Sequence, residues 1–95
     1  MKYQFSSTMY QHAAPGGWRF VAMPIDLAKE IRQLHRNEEL GWGRLKVIAT
    51  IGEDQWSTSI WFDTKSDTYL LPIKSSVRLS KNLCDGDTVH VTIHI

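Results

Sequence analysis

Side chains switch between apolar and polar with a period of two along six separate stretches of this chain, and no other feature restricts the fold as much. Tyr3, Phe5, Ser7 and Met9 point one way, and Gln4, Ser6, Thr8 and Tyr10 the other. Trp18, Phe20 and Ala22 share one face of a second stretch that Pro24 ends. That spacing predicts an inward face carrying Trp18 and Phe20. Trp42 to Ile51 alternates next, with Leu45, Val47, Ala49 and Ile51 inward. After a Gly52-Glu53-Asp54 turn, Gln55 to Phe62 returns. Trp56, Thr58, Ile60 and Phe62 lie on its inner face and Trp61 on the other, which reads as a hairpin. Thr68 to Ile73 is a fifth strand, in which Pro72 argues for an edge or a bulge. Thr88 to Ile95 is the sixth, with Val89, Val91, Ile93 and Ile95 on one side. Ala14-Pro15-Gly16-Gly17 has the chemistry of a turn.

One stretch changes period. Leu27, Ile31 and Leu34 recur at the spacing of a helical face, so Leu27 to Arg36 is predicted as a helix. Asp26 is placed to cap it and Asn37 to stop it. Six short strands cannot hide both edges in a small open sheet, so closure is the economical arrangement. The prediction is one mainly β domain over residues 1–95. It is a small closed six-stranded β-barrel capped by one α-helix, with a short second helical turn at Ser75 to Asn82.

Composition narrows the function classes. Eleven Lys+Arg against ten Asp+Glu leave a net charge of +1, whereas nucleic-acid binders usually carry a clear basic excess. A single cysteine, Cys84, rules out an intramolecular disulfide, as is usual in a reducing compartment. Met1 to Ser6 has no apolar signal-type region, and no run approaches a membrane span. A soluble cytoplasmic chain is expected, with no membrane partner.

Few residues suggest chemistry. Lys74, Arg78 and Lys81 recur at i, i+4, i+7 and would share one face of a short helix. That face could hold an anion through charge-assisted hydrogen bonds. It could equally be a solvated connector over Val77 and Leu83, the usual fate of surface charge runs. Asp85-Gly86-Asp87 reads as a tight turn, because the other oxygen ligands of a calcium loop are missing. His90 and His94 share a strand face but stand roughly 13 Å apart, too far to share one zinc. Cys84 lies in no activated-nucleophile motif, and no phosphate-cradling glycine loop is present. No cofactor, no metal and no catalytic constellation are called for. Trp42, in Gly41-Trp42-Gly43-Arg44, and Trp61 fit the inward set poorly and could stack on a planar ligand.

The chain also carries an ordered set of short motifs. They are Trp18-Arg19-Phe20-Val21 with Pro24, a helix, Gly43-Arg44 with Val47, then Gly52 and Trp56-Ser57-Thr58-Ser59. Leu71-Pro72-Ile73-Lys74, Val77-Arg78 and Gly86-Asp87-Thr88-Val89 follow. Together they resemble, over nearly the whole chain, the small prokaryotic family catalogued as domain of unknown function nineteen-oh-five. The resemblance implies a double-split β-barrel with short helices at its ends. That architecture is also used by AbrB-type regulators and MazE-type antitoxins, which bind DNA as intertwined dimers. It implies no activity. Lys74, Val77, Arg78, Gly86 and Asp87 match the family's signature positions, while Leu79-Ser80-Lys81-Asn82 is more polar than that family's segment.

Two functions stand as expectations. The first is a non-enzymatic binding module, monomer or homodimer, in which Arg44, Lys74 and Arg78 hold a small anionic or polar ligand and Trp42 or Trp61 supplies an aromatic face. The alternative is a DNA-associated regulator or antitoxin-like dimer of the AbrB/MazE type, resting on the architecture and the 74–81 basic stripe.

Overall fold

The computed structural model describes residues 1–11 and 18–95, with the side chain of Trp42 outside the description. The turn expected at Ala14-Pro15-Gly16-Gly17 lies outside the described residues. Six strands form along the predicted stretches: β1 (Lys2–Gln11), β2 (Arg19–Ala22), β3 (Arg44–Ile51), β4 (Asp54–Asp63), β5 (Thr68–Pro72) and β6 (Thr88–His94). They close into an antiparallel barrel in the order β1-β2-β5-β4-β3-β6. Two long ribbons, β1 with β6 and β3 with β4, carry most of the pairing. Shorter contacts join them, such as Ile48 to Thr50 against His94 to Thr92.

The lumen is filled by the faces that alternation marks as inward. Tyr3, Phe5 and Met9, then Leu45, Val47, Ala49 and Ile51, then Val89, Val91 and Ile93 form one cluster with Ile60 and Tyr69. Each Val, Leu, Ile, Phe or Met among them contributes roughly 1.5–3 kcal/mol by leaving water.

The face of β2 is the reverse of the expectation. Val21 and Met23 enter the core cluster, and Trp18, Phe20 and Ala22 lie on the outer wall. Val21 stands opposite Met9 on β1 and Leu71 on β5, both core residues, so the register fixes its face. A six-stranded lumen already holding Tyr3, Phe5, Met9 and Tyr69 suits a valine there better than a large ring. Phe20 is nonetheless buried, under an outer aromatic cluster. Trp18 stacks on it at 6.2 Å between centroids, Trp61 meets it edge-on at 4.9 Å, and Tyr10 lies at 6.5 Å. Trp18 itself remains 58% exposed. Leu70, opposite both Ala22 and Trp61, is buried on the same outer wall.

Two helices close the ends. α1 (Ile25–His35) seats Ala28, Ile31 and His35 on one mouth, with Leu27 half-buried against the core. Leu34 is 57% exposed, so the buried stripe is rotated from the predicted Leu27, Ile31, Leu34 set. Asp26 lies in the first turn and makes no capping bond; Pro24 is the cap residue. α2 (Ser75–Ser80) follows β5 at the other mouth and buries Val77. Asn82, at φ 52°, ends it in the left-handed conformation, and the Leu83 N–H donates back to the Arg78 carbonyl at 2.9 Å. No described helix is long and apolar enough to cross a membrane.

Candidate functional site

In a closed all-antiparallel barrel each mouth collects alternate strand ends. The α1 mouth gathers the start of β1 and β5 and the end of β4. The α2 mouth gathers the start of β2 and β4 and the end of β5.

The α1 mouth is sealed by paired polar groups. Tyr69 donates its hydroxyl to Glu39 Oε1 at 2.7 Å, and Arg32 Nε lies 3.7 Å from the same oxygen. The Arg32 guanidinium also sits 3.8 Å over the Phe62 ring, which meets Tyr69 edge-on. Burial, with the Glu39 hydrogen bond and charge behind it, pushes the Tyr69 phenol well above its usual value. Nearby, buried His35 stands between Glu38, bonded at Nδ1, and the Tyr3 hydroxyl, 2.9 Å from Nε2. A carboxylate only accepts, so Nδ1 carries the hydrogen of the bond to Glu38. Desolvation, then the charges of Glu30 and Glu38, raise the Tyr3 phenol. Thr68 donates to the Met23 carbonyl at 2.6 Å and ties β5 to the entry of α1.

The α2 mouth is different. A cavity of about 500 Å³ opens between the start of β2, the start of β4 and the β5–α2 junction. Three cations line it, Arg19, Lys74 and Arg78, together with the indoles of Trp18 and Trp56. Ser57, Thr58 and Ser75 add hydroxyls, and no carboxylate is among the described residues that line it. Arg19 Nε donates to Asp85 Oδ1 at 2.6 Å. Arg78 Nε is buried and has no hydrogen-bond partner among the described residues.

The predicted basic stripe therefore divides. Lys74 and Arg78 meet at the cavity, but Lys81 turns away, with Nζ 3.9 Å from Asp54 Oδ2 and folded over Gly52. The φ of Gly52 is 59°, a left-handed conformation that favours glycine, whereas the Lys81 end beside it could move aside for a Cβ. Arg44 and Trp61 do not line the cavity; they are cross-strand partners on β3 and β4, and Trp61 braces Phe20. The side chain of Trp42 lies outside the described residues. Trp18, Arg19 and Trp56 were not among the residues expected at a site. They are far apart in sequence, and only the strand order brings them together. Asp85-Gly86-Asp87 is a turn, as its chemistry suggests. Gly86 has φ 93°, Asp87 Oδ2 accepts from the Cys84 N–H at 2.7 Å, and the carboxylate of Asp85 serves Arg19. His90 bonds Ser6, its cross-strand partner, through Nδ1.

The family described as Domain of unknown function (DUF1905) matches residues 5–93. The chain belongs to that family. The match runs from β1 to the end of β6 and so takes in both mouths and the cavity. Family membership and the closed six-stranded barrel agree with the resemblance read from the motif order. No curated protein matches the chain.

Proposed function

We propose that this member of the DUF1905 family is a binding module that takes a small anionic ligand into the α2 mouth. The observation that carries the reading is Arg78 Nε, a buried donor with no partner among the described residues, on a side chain lining a cavity. Buried polar groups are nearly always hydrogen-bonded, and leaving one unmet costs about 1–3 kcal/mol, more when it is charged. A guanidinium whose protein partners leave a donor unmet, on a side chain that lines a cavity, can offer its outer N–H groups to a carboxylate or phosphate oxygen. Lys74 adds a second positive charge, and no lining carboxylate among the described residues competes for it. The cavity volume falls in the range of roughly 300–1,000 Å³ usual for small-molecule sites. Catalysis has no comparable support: the cavity lining contributes hydroxyls and cations but no acid, histidine or thiol among the described residues.

The barrel closes within a single chain, so an intertwined dimer is not needed to complete it. The test is a thermal-shift screen of small anions on wild type and on Lys74→Ala/Arg78→Ala. Stabilisation by at least one anion, lost in the double variant, is the expected result. A double variant that is more stable than wild type and keeps every ligand-induced shift would end the proposal. Retardation of duplex DNA at low salt, weakening with a slope near −0.9 per phosphate contact in log–log form, would favour the regulator reading instead.

A further inference from the structure

We infer that the α2 mouth takes a flat aromatic ring carrying a dianionic phosphate group, an inference that rests on the anion-site reading above. The charge balance points to a dianion. Of the three lining cations, Arg19 already bonds Asp85, a carboxylate outside the lining. Lys74 and Arg78 remain, two positive charges on one cavity with no ion pair to any described carboxylate. A single negative charge would leave one of them uncompensated, and two would balance both. The donor chemistry agrees. Arg78 offers the forked edge of a guanidinium, which suits two oxygens of one tetrahedral anion, and Lys74 supplies a compact charge for a third.

The aromatic half rests on Trp18. An indole 58% exposed would ordinarily be mobile, but this one is backed by Phe20 in a stacked pair tilted by 15°. Phe20 is in turn buried and braced edge-on by Trp61 at 81°. The ring is thus held as a platform at the cavity rim, and Trp56 contributes a second indole to the same cavity. Base-type rings stack on such side chains without needing directional hydrogen bonds. Pro72 and Ile73 complete an apolar wall beside the cations, so one ligand can satisfy both kinds of surface only if it carries a ring and a charge together.

The experiment is calorimetric titration of the full chain, at fixed ionic strength, with three probes. They are 1-naphthyl phosphate, which has ring and dianion, glycerol 2-phosphate, which has the dianion alone, and 1-naphthoate, which has the ring with one charge. Naphthyl phosphate is expected to bind about tenfold or more tightly than either of the others, in line with what one stacking contact is worth. Trp18→Ala should weaken naphthyl phosphate about tenfold and leave glycerol 2-phosphate unchanged, while Trp18→Phe restores most of the loss. Arg78→Ala should abolish binding of both phosphates. Equal affinity for the two phosphates, both dependent on Arg78, would overturn the aromatic half and leave the anion site standing. Equal affinity for naphthyl phosphate and naphthoate would overturn the dianion half. No binding of any probe, with Arg78→Ala indistinguishable from wild type, would overturn this inference together with the proposed function.

Discussion

At the α1 mouth the buried hydroxyls of Tyr3, Thr68 and Tyr69 all have partners, whereas at the α2 mouth Arg78 Nε has none among the described residues. The two mouths belong to one cylinder and each is covered by a helix, yet they use their polar groups differently. At α1, polar side chains find partners on the protein itself: Arg32 with Glu39, His35 with Glu38. The helix is eleven residues long and buries Ala28, Ile31 and His35. At α2 the helix has six residues, buries only Val77, and leaves Leu79 82% exposed. Arg19 and Lys81 there meet acids, but Lys74 and Arg78 line a cavity with no ion pair to a described carboxylate. The difference teaches that barrel closure does not by itself require polar groups to be satisfied at both ends. One end satisfies its buried polar groups within the chain, and the other leaves Arg78 Nε unmet among the described residues.

That contrast between the mouths can be broken in several places. The largest effect is expected from Ile31→Ala, which opens a cavity beneath α1 and should cost about 2–5 kcal/mol in urea unfolding. A cost below about 1 kcal/mol would mean that the α1 mouth is not the stabilising end.

Tyr69→Phe comes next. It removes a buried hydrogen bond to a carboxylate, for an expected loss of about 1.5–3 kcal/mol. The same residue gives a pH signature. Its phenol is raised in the folded state by burial and by Glu39, so the stability it contributes is fully present below about pH 10, the unfolded value. That stability is lost as pH climbs past 10 toward the higher folded value. Chemical unfolding at pH 8 and at pH 11 should therefore show an alkaline loss in wild type that is smaller in Tyr69→Phe.

How far the sequence reached can be judged residue by residue. The inward faces of β1, β3, β4 and β6 follow from alternation alone, because one side of each strand is apolar and the other largely polar. β2 failed that test for a physical reason. Both of its faces are apolar, Trp18 and Phe20 on one and Val21 and Met23 on the other, so only pairing with Met9 and Leu71 decides which enters. Leu34 misled similarly, since Ala28 and the buried polar His35 complete the true stripe, and neither advertises itself as an apolar anchor. Lys74 and Arg78 were legible as a local i, i+4 pair. Trp18, Arg19 and Trp56 were not, because their convergence depends on which strand ends share a mouth, and that depends on the order β1-β2-β5-β4-β3-β6.

Two smaller effects sharpen the α2 side. Asp85→Asn frees Arg19 from an ion pair whose acid is about half exposed, so the expected change in stability is about 0–1 kcal/mol by thermal unfolding. Lys74→Ala/Arg78→Ala is expected to move stability by no more than about 0.5 kcal/mol, or to raise it, because neither cation has an ion-pair partner among the described residues. A loss of more than about 2 kcal/mol would show that these side chains hold the mouth together and would return them to the role of connector.

The most direct measurement watches the Arg78 Nε–H resonance by proton–nitrogen correlation NMR while a dianion such as 1-naphthyl phosphate is titrated into the protein. An anion site at the α2 mouth requires that signal to move to saturation along with the Trp18 and Trp56 indole N–H signals. If the probe binds while Arg78 Nε–H stays unmoved, or if that resonance already exchanges and shifts as a solvent-exposed guanidinium would, the α2 mouth is not an anion site.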